Sequence, residues 1–386
     1  MSKLKRLPAI AVIAAMLVIM ASCAPTPAPT AEPTQTQQTN EPAATNAPAT
    51  AAPTAEPTAE PTPESTEVRL IDFTGREIVL PKPADRISGI HPTATLDIWR
   101  LAGDKLVSID WVFEMININN ENVAFFTPEE KERLRQLPVT GTFFRNMNFE
   151  QMLTIAPEVV VTLNSDPNIE LEEEQIGVPV VAINKDGIDT LPQSFRIVGA
   201  LVGNPFGDEI ADFWDANLKL VTDESDKVPK SDRKNVLFVG KSGNINITPS
   251  EGTIFSSAIN AAGVNNLGDL LDVKNSEEVE INVEQILAWN PDLIVVPTQV
   301  GYDAIMSTDA WQTIPAVQRG DLYVMRQYAG MDGTGSLMGS TWLHNLVYHP
   351  DDDAYEEKFD KLIYDFTELM YGVQLTDEQI HQPGIS

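Results

Sequence analysis

The chain has 386 residues, 56 acidic against 26 basic side chains for a net charge of −30, 28 prolines and one cysteine. That length suits two domains, each able to bury a core of its own. The acidic excess argues against a phosphate-reading nucleic-acid binder, which needs a basic face to release counterions. A lone cysteine can make neither an intrachain disulfide nor a thiolate-rich zinc or iron–sulfur site.

Residues 1–23 read as a secretory signal, with Lys3, Lys5 and Arg6 as its basic start and an apolar run over 7–20 that is short for a membrane span. The run ends in Met20-Ala21-Ser22-Cys23, which resembles a bacterial lipobox, with Met20 where Leu is usual. In a lipobox the cysteine is diacylated and becomes the mature N-terminus, so Cys23 is the expected lipid anchor. The bland alternative is an ordinary signal with an incidental cysteine. Residues 24–66 hold ten of the prolines, no Lys, Arg, Gly or aromatic residue, and are otherwise mostly Thr and Ala. Such a segment cannot bury a core and should be extended, a spacer between membrane and folded body.

From residue 67 the composition is globular. The first 66 residues carry five acids and three bases, which leaves 51 against 23 and a charge of −28 on the rest. Strand-like runs recur at 86–90, 106–109, 159–163, 178–183, 236–239, 293–296 and 322–325, with helical periods between many of them. The pattern predicts an α/β fold with mainly parallel, buried strands. Segment 206–225 has helical spacing of Ile210, Phe213, Trp214, Leu218 and Leu220 behind Pro205, and 351–371 repeats that character with Phe359, Leu362, Ile363, Phe366 and Leu369.

One stretch occurs twice. Residues 148–161, NFEQMLTIAPEVVV, align with 282–295, NVEQILAWNPDLIV. Each copy starts with an Asn suited to cap a short helix, with Gln three residues on to complete a capping box, and each stops at Pro plus an acid before a buried strand. The repeat implies two lobes of like topology. The expected division is a signal at 1–23, a linker at 24–66, an N-terminal αβ lobe at 67–204, an interlobe helix at 205–229, a C-terminal αβ lobe at 230–350, and a terminal helix and tail at 351–386.

With Asp72-Phe73-Thr74-Gly75-Arg76, Pro83-Ala84-Asp85-Arg86-Ile87, both Asn-x-Glu-Gln segments, Trp311-Gln312-Thr313-Ile314-Pro315 and Gly320-Asp321-Leu322-Tyr323 in this order, the body resembles the class III solute-binding proteins of ABC importers. The resemblance implies two Rossmann-like lobes with parallel sheets joined by one long helix, and a ligand held between them. It implies a monomer anchored on the outer face of the cell membrane that hands a metal complex to a permease dimer with cytoplasmic ATPase subunits. Ferric siderophore is the first expectation, followed by cobalamin or haem, then a small metal chelate or a molybdate-like oxyanion; the bound ligand would thus be an iron or cobalt complex. It also implies that Glu150 and Glu284, one per lobe, dock onto permease arginines. As first-turn acids they would in any case favour their helices by ~0.3–1 kcal/mol.

Parallel αβ lobes hold ligands at strand carboxyl ends and the helix starts that follow. Those ends offer His91, Trp111, Phe113, Arg145, Asn164, Lys241, Gln299, Tyr302, Arg326 and Tyr328 as candidate cleft residues, with His91 also a candidate metal ligand and Arg145 and Arg326 the candidate cations. For each aromatic, core packing is the ordinary alternative; for His91 it is capping. Catalysis finds no support, since the chain has no Gly-x-Ser-x-Gly elbow, Gly-Lys-Ser/Thr phosphate loop or His-Glu-x-x-His pair. An adhesin or sensor domain on the same fold is the remaining rival.

Overall fold

The computed structural model describes residues 66–119, 125–141 and 147–384. Cys23 and Arg145 lie outside the described residues. The described chain opens with an antiparallel hairpin, β1 (Val68–Ile71) and β2 (Glu77–Leu80). Its turn is tied by Asp72, whose buried carboxylate accepts from the Thr74 and Arg76 amides and pairs with the Arg76 guanidinium at 2.7 Å. The same carboxylate accepts from the Ala182 amide, which fastens the hairpin to the N-terminal lobe.

That lobe runs β3 (Ile87–Gly89), α1 (Pro92–Ala102), β4 (Leu106–Ser108), α2 (Trp111–Phe113), α3 (Pro128–Arg135), α4 (Phe149–Ile155), β5 (Val159–Leu163), α5 (Ile169–Ile176) and β6 (Val180–Ile183). Its four strands pair in the order β4-β3-β5-β6, all parallel. Helix α6 (Leu191–Val202) packs on the first lobe, and the twenty-residue α7 (Phe206–Ser225) then passes to the second. At 1.5 Å per residue α7 is about 30 Å long. The second lobe runs β7 (Asn235–Phe238), β8 (Ile247–Thr248), α8 (Ile254–Ala261), β9 (Asn265–Asn266), β10 (Val279–Glu280), α9 (Val283–Trp289), β11 (Leu293–Val296), α10 (Gln299–Ser307), α11 (Pro315–Arg319) and β12 (Leu322–Val324). Its main sheet has the order β12-β11-β7-β9, again parallel, with β8 and β10 as a separate antiparallel ribbon. Helices α12 (Ser336–Tyr348), α13 (Asp353–Tyr371) and α14 (Asp377–Ile380) close the chain.

The period-two alternation of the strands sorts their side chains between cores. Val159, Val161, Leu163, Val181 and Ile183 of the first sheet and Val236, Phe238, Leu293 and Val295 of the second belong to one continuous core. The residues between them face two satellite cores, one under α4 and α5 and one under α9 to α11. The shared core holds α7, whose Trp214 is fully buried with its indole N–H donating to the Ile188 carbonyl at 2.8 Å. Tight contact of α6 with α7 depends on Gly199 and Gly207. A Cβ on Gly207 would fall 2.5 Å from the Phe195 carbonyl oxygen and 3.0 Å from the Gly199 Cα.

The sequence repeat is a structural repeat. Helices α4 and α9 are both seven residues long, are capped by Asn148 and Asn282 side chains accepting from the Gln151 and Gln285 amides, and end in left-handed residues, Ala156 and Asn290, ahead of proline. The return arm of a capping box is absent at α4, because the Asn148 amide donates to the Thr140 carbonyl instead. A complete box forms at α14, between Thr376 and Gln379, where the sequence reading had not placed one.

Candidate functional site

The carboxyl ends of both parallel sheets converge between the lobes, and a charged cluster spans them. Lys185, two residues after β6, pairs with Glu277 of the second lobe at 2.7 Å, and Lys241, three residues after β7, pairs with the same carboxylate. The Lys241 ammonium also sits 4.8 Å above the Phe255 ring. Burial works to lower the Lys185 pKa, but Asp332, Glu277 and Asp186 outweigh it and the net shift is upward. Burial likewise opposes ionisation of Glu277, and the two lysines overcome it and hold its pKa below the usual carboxylate value. Asp332 is exposed where it lines the adjoining cavity, and desolvation by the surrounding protein raises its pKa despite Lys185. The Asp186 pKa is raised too, by burial first, with Asn164 donating to its carboxylate. The Asn164 Oδ1 is buried and accepts from no donor among the described residues.

Beside this cluster lies a cavity of about 720 Å³. Its walls come mainly from the second lobe and α13, including Phe238, Phe255, Met331, Tyr328 and Tyr371, and Phe125 reaches it from the first lobe. Phe125 stacks on Tyr371 at 3.8 Å between ring centres and leans on Tyr328 at 5.3 Å. Tyr328 holds a left-handed φ of 70°, unusual for a non-glycine residue and typical of strain kept at binding sites.

The other sequence candidates separate clearly. His91 caps α1, with Nδ1 accepting from the Thr93 amide at 3.1 Å, and is 3 % exposed. Burial, then Lys185, push its pKa down to about 3, so it is neutral. It belongs to no group of three potential metal-ligating side chains among the described residues, so the metal-ligand reading gains nothing from the geometry. In the grouping that does occur, Glu356, Asp360 and His381, both carboxylates already pair with the Arg326 guanidinium.

Arg326 reaches the cavity wall, but it is spent: it pairs with Glu356 and Asp360 and donates to the Ile380 carbonyl, so it is a structural cation and not a free one. Phe113 is a core residue, fully buried and edge-on to Phe126 at 5.8 Å. Tyr302 packs onto the satellite core of the second lobe. Gln299 is exposed and bonds Asp303 one turn along α10, while its neighbours Thr298 and Val300 line the cavity. Trp111 is 47 % exposed at the start of α2. Glu150 and Glu284 are exposed at the second position of α4 and α9, one on each lobe.

Lys185, Glu277, Asp332 and Phe125 were not singled out from the sequence. Lys185 could have been, since it follows a strand run by two residues. Glu277 sits in a loop of ordinary acids, and Phe125 in a connection with no motif, so neither carried a local signal.

Two parallel αβ lobes about a common helix, with a cleft at their strand ends, define the class of two-lobed solute-binding proteins. The family described as periplasmic binding protein matches residues 119–329, more than half of the chain, and the chain belongs to that family. A curated relative from Bacillus subtilis (strain 168), named an uncharacterised ABC transporter substrate-binding lipoprotein, YvrC, is 21 % identical over 264 residues, 66 % of this chain and 77 % of its own. Among solved structures, an ABC transporter solute-binding protein from Sulfurospirillum deleyianum superposes with a TM-score of 0.68 at 21 % identity, covering 81 % of this chain and 97 % of that one. The molybdate-bound MolA of Haemophilus influenzae superposes at 0.65 and 20 % identity, covering 80 % and 99 %. The fold is common to this chain and the two solved structures. The coarse role is that of an extracytoplasmic substrate-binding component of an ABC transporter, a family of binding proteins and not of enzymes.

Proposed function

We propose that this protein captures a bulky organic metal complex, a ferric siderophore before cobalamin or haem, in the interlobe cleft and delivers it to a permease dimer served by cytoplasmic ATPases. The cavity carries this reading. At about 720 Å³, walled by aromatic and Met side chains of the second lobe and α13 with Phe125 from the first lobe, it suits a large conjugated ligand. A bare oxyanion, as held by MolA, would leave most of that apolar wall unused. Lipidation at Cys23 and the 24–66 spacer would keep the lobes close to the membrane, and Glu150 and Glu284 would meet one permease subunit each. Support for that pairing is their exposure at equivalent positions of the structural repeat.

The test is a fluorescence titration of the purified protein with ferric catecholate, ferric hydroxamate, haem and cobalamin. One of these should quench the aromatic emission saturably, and Phe125→Ala should weaken that binding about tenfold, the loss of one stacking contact of ~1–1.5 kcal/mol. Saturable binding of molybdate with no response to any organic complex would contradict the proposal.

A further inference from the structure

The strained turn at the cavity wall is held by a segment from far along the chain. Arg326 to Ala329 form a turn closed by the Ala329 amide, which donates to the Arg326 carbonyl at 3.1 Å. Tyr328 takes the third position with a φ of 70°, the place where a type II turn ordinarily puts glycine. A tyrosine there stores strain, and a free turn would relax by rotating the residue out of the left-handed region. That rotation would carry its ring away from Phe125 and out of the cavity wall.

The residues after α14 oppose it. Gln327, second in the turn, donates its amide to the Gln382 carbonyl at 2.8 Å, and the Gly384 amide donates to the Met325 carbonyl at 2.7 Å. Between these bonds Arg326 bridges to Pro383 in antiparallel fashion. The Arg326 guanidinium donates to the Ile380 carbonyl at 3.0 Å and is braced by Glu356 and Asp360 of α13. The cation expected at the ligand thus rivets this segment instead. The segment is anchored at both ends. Upstream, the fully buried Ile380 ties α14 into the shared core. Downstream, the buried Gly384 sits between Pro297, directly after β11, and Met325, directly after β12, and its carbonyl accepts from the Gln299 amide at 3.3 Å. A Cβ on Gly384 would fall 2.1 Å from the Pro297 carbonyl oxygen, so only glycine fits the slot. Gly384 itself lines the cavity.

We propose that residues 380–384 are a clasp that holds the Arg326–Ala329 turn in its strained form and so presents the Tyr328 ring to the ligand beside Phe125. This rests on the cavity being the ligand site. Tyr328 is then a binding residue, and Gly384 a positioning residue that acts through it. A ring already in place spares the ligand the cost of ordering it. A turn that held the presenting form only one time in ten would bind about tenfold more weakly.

The test compares wild type, Gly384→Val, a deletion of 382–386, Tyr328→Ala, and Gly384→Val combined with Tyr328→Ala, with thermal unfolding confirming that each is folded. The deletion removes the clasp without a clash and stands in if the valine variant does not fold. With no ligand present, hydrogen exchange at the Gln327 amide should quicken about tenfold or more in both clasp variants, while the β11 amides keep their wild-type protection. In titrations with ferric catecholate, ferric hydroxamate, haem and cobalamin, the complex that the wild type binds should bind each clasp variant about tenfold more weakly. The combined variant should bind it no more weakly than Tyr328→Ala alone, a coupling that a clasp serving stability alone would not produce. Unchanged protection of the Gln327 amide, unchanged affinity, or losses that add in the combined variant would overturn the proposal. Failure of the transport reading would instead appear as no binding of any of the four complexes by the wild type.

Discussion

Glu172, on α5, is 2 % exposed and hydrogen-bonds to Asp166, itself 6 % exposed, whose other contacts are the Thr162 hydroxyl and the Asn168 amide. Burial first, then the Asp166 charge, push the Glu172 pKa from 4.5 up to about 8, so the folded protein holds this carboxyl protonated at neutral pH. In the unfolded chain it ionises normally. Its contribution to stability is fully present below pH 4.5 and is lost as pH rises through about 8. At ~1.4 kcal/mol per pKa unit, the proton that folding must retain at pH 7 costs about 3 kcal/mol relative to a side chain that is neutral in both states. Glu172→Gln keeps the shape and a donor toward Asp166 and removes that cost. His91, with its pKa lowered to about 3, and His344, lowered by burial, act in the opposite sense, since both raise stability as pH climbs toward 6.5. The difference between variant and wild type isolates Glu172. In urea unfolding, Glu172→Gln should be more stable by about 3 kcal/mol at pH 7 and by little at pH 4.5. A difference that stays constant with pH would refute the account of Glu172 as a carboxyl kept protonated by burial.

Gly207→Ala should lower stability by about 3 kcal/mol, because the added methyl meets backbone atoms of α6 that cannot step aside; calorimetry would read it as a fall in Tm. Asp72→Asn should cost about 2 kcal/mol at pH 7 by weakening the tie to Arg76 and the Ala182 amide. Burial raises the Asp72 pKa but its hydrogen bonds from Thr74, Arg76 and Ala182 outweigh it, so the native value is depressed. The Asp72 contribution therefore holds above the usual carboxylate pKa of 3.8 and disappears as pH falls through the native value, a loss that acid titration of the wild type should show and the variant should lack. Glu150→Ala with Glu284→Ala should reduce uptake by cells at least tenfold and leave ligand affinity unchanged; a matching loss of affinity would make them cleft residues.

The architecture was legible because it rests on patterns that repeat along the chain. Continuous apolar runs such as 159–163 and 293–296 became central parallel strands, and the Asn-x-Glu-Gln copies became matching helices with the same cap and the same left-handed stop. The site was less legible, because it depends on what a side chain meets across the fold. Arg326 had the right place for a ligand cation and is neutralised by Glu356 and Asp360, thirty and more residues on. Phe113 and Tyr302 stood near strand ends as well, yet they turn into cores. Lys185 and Glu277 lie 92 residues apart and acquire meaning only when the lobes bring them together.

The central claim, that the cleft takes a bulky metal complex, is tested most directly by native mass spectrometry and visible absorbance of the protein purified from cells grown with mixed metals. The account predicts a retained mass matching one organic iron or cobalt complex per chain, with its absorption band. Retention of a sugar, a peptide or a bare oxyanion under all growth conditions would contradict it.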